Sequence, residues 1–155
     1  MSGNYSIRRA GAADVCAVRA LTRAAYAKWL PVIGREPLPM GADYEIAVRE
    51  HLIDLLFKGD DLVGLAEMIP GRDHIFVANV AVTPNLHGRG LGHILMEHIE
   101  RITEQFGYSE IRLCTHNLFE ENIRLYLKLG YKIVSEDKIA DGFRVNMSKV
   151  LKLTQ

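Results

Sequence analysis

Apolar and polar positions alternate along this chain in two rhythms, one of about 3.6 residues and one of two, and each rhythm predicts its own element. Tyr5 to Arg9 reads as a short strand. Val15, Val18, Leu21, Ala25 and Trp29 then recur at helical spacing. Asp14 suits the start of that helix, because an anion there meets the positive end of the helix dipole. Pro31 is expected to end it, since the residue before a proline is pushed out of the helical region. Residues 30–42 hold three prolines and two glycines, so a loop of some length is expected there, and long loops are often functional. Residues 43–50 can form a short helix.

Further on, His51 to Lys58 and Leu62 to Ile69 read as two strands joined by a Gly59-Asp60-Asp61 turn, a hairpin signal. Ile75 to Val82 is almost entirely apolar, the pattern of a strand buried on both faces. Leu91, Ile94, Leu95, Ile99, Ile102 and Phe106 form one stripe of a helix ending near Gly107. Glu110 to Thr115 is a strand, and Phe119 to Leu129 a helix stopped by Gly130. Tyr131 to Val134 and Phe143 to Met147 close the chain as strands, the second after an Asp141-Gly142 turn. The strand–helix–strand unit in the middle should make its two strands parallel. The expected fold class is α/β with α+β character: one domain over residues 1–155, with a central mixed, largely antiparallel twisted sheet and helices on both faces.

Composition changes this picture little. A chain of 155 residues with 48% hydrophobic and 25% charged residues is ordinary for one folded domain and argues against disorder. Lys plus Arg equals Asp plus Glu at 19 each, so no net field favours nucleic acid or an anionic membrane as partner. Cys16 and Cys114 sit in apolar contexts and read as buried thiols rather than a disulfide. That usage fits a reducing compartment. Met1 to Arg9 carries no apolar core of signal-peptide length, and no apolar run reaches the roughly 18 residues needed to cross a bilayer. A cytoplasmic location is expected. The six histidines show no metal-ligand spacing with the cysteines, so no metal is expected.

The chemistry concentrates in His87-Gly88-Arg89-Gly90-Leu91-Gly92, between the buried strand and the long helix. Glycines allow close approach of the backbone to a ligand and permit positive φ. Their amides and the first free N–H groups of the helix converge on one spot that favours an anion such as phosphate. Arg89 and His87 can add charge or donors. A Walker A loop needs Gly-Lys followed by Ser or Thr, and no such tripeptide occurs. A dinucleotide fingerprint counted from Gly88 and Gly90 needs glycine where His93 stands, and its acidic residue near the end of the next strand, whereas Glu110 is at the start.

Pro84 through Gly92 resembles motif A of the GCN5-related N-acetyltransferase (GNAT) superfamily: Arg or Gln, two residues, Gly, one residue, Gly or Ala. His87, Gly90 and Gly92 carry it, with His87 in place of the usual Arg or Gln. Asn122 to Tyr131 resembles the family's motif B. The likeness follows the element order of the whole chain, but only residues 78–131 carry specific motifs. It implies an enzyme that moves an acetyl group from acetyl-coenzyme A (acetyl-CoA), as cosubstrate, to a primary amine by direct attack on the thioester. Coenzyme A would lie between the strands ending at Val82 and Thr115. Its pantetheine arm would pair with Val80, Ala81 and Val82, and its pyrophosphate would meet His87, Gly88, Arg89, Gly90, Leu91, Gly92 and His93. Tyr126 takes the place of the family's acid for the leaving thiolate; the periodicity alone reads it as a core aromatic. Asn117 and Asn122 can reach the pantetheine amides, although Asn117 also suits a helix cap or turn. In many members the motif B asparagine lies seven residues before the tyrosine, where this chain has Phe119.

An alkylamine is mostly protonated at neutral pH and must lose a proton before it attacks. Glu67, late in an apolar strand, is the first choice of base, with His74 and Asp73 behind it. The 30–42 loop and Tyr44 are expected to shape the acceptor pocket, with Trp29, Ile33 and Met40 as an apolar wall and Arg35, Glu36 and Asp43 as selectors. The acceptor is a small molecule or a peptide, small amines first because the loop carries no acidic run; a second copy of the chain is a further candidate partner. Two other readings stand beside the enzyme: a catalytically silent coenzyme A-binding or sensing module on the same fold, and a nucleotide-binding domain.

Overall fold

The computed structural model describes residues 4–152. The first residues of the N-terminal stretch read above lie outside that range. The described strands are β1 (Tyr5–Arg9), β2 (Leu52–Lys58), β3 (Asp61–Pro70), β4 (Ile75–Val82), β5 (Glu110–His116), β6 (Lys132–Ile139) and β7 (Gly142–Val150). The helices are α1 (Val15–Tyr26), α2 (Leu30–Ile33), α3 (Tyr44–Glu50), α4 (Leu91–Gln105) and α5 (Glu120–Lys128). The strands form one seven-stranded sheet in the order β1-β2-β3-β4-β5-β7-β6. Every pairing is antiparallel except β4 with β5, which the α4 crossover makes parallel. The mixed α/β fold expected from the pattern is the fold observed.

Two cores flank the sheet. Leu95, Met96, Ile99 and Ile102 of α4 pack on Leu56, Ala66, Met68, Ile75 and Ile111, with Ile123 and Tyr126 of α5 against the same side. Val18 and Leu21 of α1 and Tyr44 and Ala47 of α3 pack on Ile53, Leu55, Leu65 and Ala81 of the other face. Asp54 is buried under α4 and accepts hydrogen bonds from His98 (2.6 Å) and from Arg9. Burial works to raise its pKa, but those two donors win and hold it below the usual carboxylate range.

Several expectations are corrected. Pro31 does not end the helical path: the chain continues through a 3-10 turn at Ala27–Trp29 into α2, with Pro31 in its first turn, and stops at Gly34 (φ 72°). A proline is tolerated there because first-turn N–H groups have no intrahelical acceptor. The 30–42 segment therefore holds α2 and a 3-10 turn at Leu38–Gly41. Cys16 and Cys114 are free but exposed, not buried. Cys16 lies off the apolar stripe of α1, and Cys114 points from β5 away from α4, where Ile111 and Leu113 go. β4 is not buried on both faces: fully buried and half-buried residues alternate along it. Phe106 is exposed, and Thr103 completes the buried stripe of α4 instead. β6 and β7 are longer than expected and meet in a tight hairpin at Ala140 and Asp141. Among the described residues no helix is long and apolar enough to cross a membrane.

Leu65 is fully buried between α1, α3 and the sheet. Leu65→Ala should cost about 3 kcal/mol, within the range for buried leucines. Urea unfolding should show a lower midpoint at an unchanged slope.

Candidate active site

The site begins where two strands part. β4 and β5 pair only over Ile75–Val77 with Ile111–Leu113. Just beyond, the register of β3 against β4 shifts between Glu67 and Met68, leaving Ala78 as an extra residue in β4. A bulge bends and twists its strand, and here the bent end of β4 leaves β5. Thr83 donates its N–H to Val63 on the β3 side (2.9 Å). Two-residue alternation along the ladder then turns the N–H and C=O of Val80 and Val82 the other way, into the gap. Ala81 packs in the α1 core, and Val80 and Val82 are half-buried.

The His87–Gly92 loop closes one end of the gap. Gly88 and Gly90 have φ of 82° and 83°, a region side chains disfavour, and Gly90 caps α4. The amides of Gly88, Gly90, Gly92 and His93 find no acceptor among the described residues. The first turn of α4 carries no acidic residue and no side-chain cap. Leu91 is buried, fixing the helix, while His87, Gly88, Arg89, Gly90 and His93 are exposed around it. Gly92 is helical, and a Cβ built on it would meet nothing within 4 Å. Packing does not require glycine there, and glycine costs a helix about 1 kcal/mol relative to alanine. The loop is thus shaped for something outside the protein. Lys28, which the sequence reading missed, reaches it from the end of α1: its Nζ is 3.1 Å from His87 Nε2 and 2.9 Å from Glu121.

Tyr126 lies on α5, half-buried, against the α4 core, with its ring 5.7 Å from that of Tyr131. Its hydroxyl has no hydrogen-bond partner among the described residues, and burial pushes its pKa up to about 12. It stays protonated at neutral pH and keeps a hydrogen to donate. Asn122 is half-buried one turn before it, its side chain likewise unbonded. Asn117 is committed differently: its Oδ1 accepts from Phe143 N–H (2.8 Å) and its own N–H donates to Phe143 O (2.9 Å), fastening β5 to β7. Only its Nδ2 remains free.

On the α1 and α3 side, Glu67 is buried opposite Asn79, and its Oε2 is 2.6 Å from His51 Nδ1. Asn79 donates to Thr22 (3.0 Å) and Tyr44 (3.4 Å), and its Oδ1, buried, has no partner among the described residues. Tyr26 is raised strongly, by burial first and then by the neighbouring phenols of Tyr126 and Tyr44, and the Val80 N–H faces its hydroxyl. Tyr26 and Tyr126, packed against opposite faces of the sheet, thus influence each other electrostatically. His74 and Asp73 pair with each other (3.0 Å) before β4 begins, at the end of that strand remote from the gap.

The acceptor-side residues are mostly engaged. Arg35 binds Asp141 (2.7 Å), Glu36 binds Arg23 (2.8 Å), and Asp43 caps α3. Met40 and Trp29 are buried, Trp29 stacking on Phe119 at 4.3 Å. Leu118 donates to His116 Nδ1 (3.1 Å), so Nε2 carries the ring hydrogen and donates to Asp141 (3.1 Å). Arg35, Asp141 and His116 thus clasp the 30–42 segment to the β6–β7 turn. Among the described residues no group of His, Cys, Asp and Glu is placed to hold a metal.

The sequence matches the Acetyltransferase (GNAT) family over residues 18–131, well over half of the chain. No curated protein matches it in sequence. Among solved structures it is similar to the PaiA N-acetyltransferase from Thermoplasma acidophilum in complex with coenzyme A (TM-score 0.81, 20% identity, 97% of this chain and 99% of that one). It is also similar to the ribosomal-protein-S18-alanine N-acetyltransferase from Escherichia coli (0.78, 19%, 97% and 96%). A third likeness is to an aminoglycoside 6'-acetyltransferase type Ii (0.75, 21%, 97% and 99%). At these identities the likeness is one of fold.

The clasp gives a pH prediction. Arg35 foremost, and His116 after it, lower the Asp141 pKa to about 2. Its contribution to the clasp is in force above the ordinary carboxyl value of 3.8 and is lost as the pH falls through about 2. Carboxyl NMR titration of Arg35→Ala should show the Asp141 midpoint back toward the ordinary value. Amide exchange across residues 30–42 should quicken in the same variant.

Proposed function

The chain belongs to the acetyltransferase (GNAT) family, and on that premise we propose that it transfers an acetyl group from acetyl-CoA to a primary amine by direct attack on the thioester. The observation that carries the reading is the uncapped, glycine-lined start of α4 beside the parted strands, with Gly92 left bare where packing does not ask for it. The cosubstrate supplies an activated acetyl thioester. The amides of Gly88, Gly90, Leu91, Gly92 and His93 would hold its pyrophosphate, with Arg89, His87 and Lys28 adding charge. Val80 and Val82 turn unpaired N–H and C=O groups into the gap, which suits the amides of the pantetheine arm. Asn122, and Asn117 through its free Nδ2, can donate to the same arm.

Glu67 takes the proton from the acceptor ammonium, so that the amine nitrogen is free to attack. The Val80 N–H can donate to the carbonyl oxygen as charge gathers on it. Tyr126 donates to the departing sulfur. Arg35 and Glu36 of the 30–42 segment are tied up in ion pairs, and the adjoining Asp43 in a helix cap. On the acceptor side stand Glu67, Tyr26 and the bare Oδ1 of Asn79, oxygens that suit a small ammonium. Small amines or amino-acid derivatives are therefore the proposed acceptors, ahead of long basic peptides. Free, unpaired Cys16 and Cys114 fit a cytoplasmic location.

Gly92→Glu should leave the thermal midpoint unchanged or slightly raised, since its Cβ meets no protein atom and an acidic residue suits the first turn of a helix. Its affinity for coenzyme A by calorimetry should fall about tenfold or more, because the new carboxylate stands where the pyrophosphate would lie. Equal affinity in both proteins would remove the loop from the binding argument.

Tyr126→Phe should keep acetyl-CoA affinity and lower kcat by about 10²-fold, the lower end of acid–base contributions. A thiol-release assay measures it, run over a panel of small amines and basic peptides. Turnover with peptides alone would refute the small-amine reading while leaving acetyl transfer intact.

A further inference from the structure

Glu67 is a carboxylate taken almost out of water, its side chain 7% exposed. Such a group loses its charged form unless a donor supports it. One residue does. His51 is the first residue beyond α3, and its N–H bonds Ala47 O at 2.8 Å, so the helix end fixes where the ring hangs. Its Nδ1 lies 2.6 Å from Glu67 Oε2, and its side chain is 28% exposed, open to solvent where Glu67 is not. Oε1 has no partner among the described residues.

The other groups that face the carboxylate cannot replace it. Tyr26 comes from α1 and Tyr44 from α3; Tyr44 gives its hydroxyl hydrogen to Pro39 O (2.7 Å), and among the described residues no hydrogen bond joins Tyr26 to the carboxylate. Arg19, also on α1, acts on Tyr44. Asn79 on β4 spends its Nδ2 on Thr22 and Tyr44 and offers only its bare Oδ1. His51 is thus the one donor seen on the carboxylate among the described residues.

We propose that His51 is a positioning residue of the acetyl-transfer reaction: its Nδ1–H, given to Oε2, holds the Glu67 carboxylate in place and turns Oε1 into the oxygen that receives the proton of the acceptor amine. The inference rests on Glu67 being the base. Removing the donor makes the carboxylate hold its proton to higher pH, and a protonated Glu67 cannot take one from the amine. The acid limb of the pH–rate profile must therefore move upward when the donor is lost. A charge-assisted hydrogen bond of this kind is worth about one pH unit.

The test uses the full chain, acetyl-CoA at saturation and n-butylamine as acceptor, with kcat/KM followed from about pH 5 to pH 10 across the titration range of the groups concerned. In His51→Leu the acid limb should lie about one pH unit higher, while calorimetric affinity for acetyl-CoA stays as in the unmodified protein. His51→Gln, which keeps an N–H donor, should return the limb most of the way. A uniform loss of rate and thermal midpoint with the limb unmoved would make His51 structural and overturn the proposal. Glu67→Gln separates the two levels. If it leaves the profile unchanged, the base is elsewhere and both readings fall; if it abolishes turnover at neutral pH while His51→Leu changes nothing, only His51 is wrong.

Discussion

β4 and β5 cannot stay paired past Val77 and Leu113, because the extra residue at Ala78 bends β4 away from the parallel register. A sheet interior ordinarily satisfies every backbone group, and an unmade hydrogen bond there is costly. In this sheet the cost is offset by exposing the free edge of β4 to a gap rather than burying it. The start of α4 faces the same gap with free amides of its own. Unpaired backbone on one wall and a helix N-terminus at the end make a polar, donor-rich slot through an otherwise apolar sheet. The two cores on either side, one under α4 and α5 and the other under α1 and α3, hold the slot open by packing on strands that remain paired.

The two faces of the sheet deliver different chemistry to that slot. The α5 side brings Tyr126, a phenol kept neutral by burial and left without a partner. The α1 and α3 side carries Glu67, Asn79 and Tyr26, oxygen-rich, with Glu67 held by His51 and Asn79 by Thr22 and Tyr44. In the acetyl transfer proposed above, the phenol would serve the leaving sulfur and the carboxylate the attacking nitrogen. Around the mouth, exposed ion pairs join pieces far apart in sequence: Arg35 to Asp141, and Lys28 to Glu121. Such exposed pairs add little stability singly, so their effect is on which segments stay together.

Much of this was legible in the residues alone, and for local reasons. β1 and β4 have the bounds the apolar pattern predicts, and α4 and α5 follow theirs to within a residue or two of the stripe that packs on the sheet. The glycine loop was legible because positive φ and a bare helix start are written in residue type. Asn79 was a readable signal that went unused: one amide in the run Ile75 to Val82 has no reason to be there unless something bonds it.

What only the tertiary structure decided are the relations between distant residues. No spacing rule brings His51 to Glu67, Lys28 to His87 or Arg35 to Asp141, because each pair depends on how α1, α3 and the β6–β7 turn dock on the finished sheet. The bulge at Ala78 was equally invisible, since it arises from the mismatch of two strands and not from either alone. Exposure of Cys16 and Cys114 followed from which faces the helices cover, a matter of layer order that residue type does not record. Periodicity determines what each element buries; only packing determines what each buried or bare atom meets, because a side chain's partners come from segments the local pattern never samples.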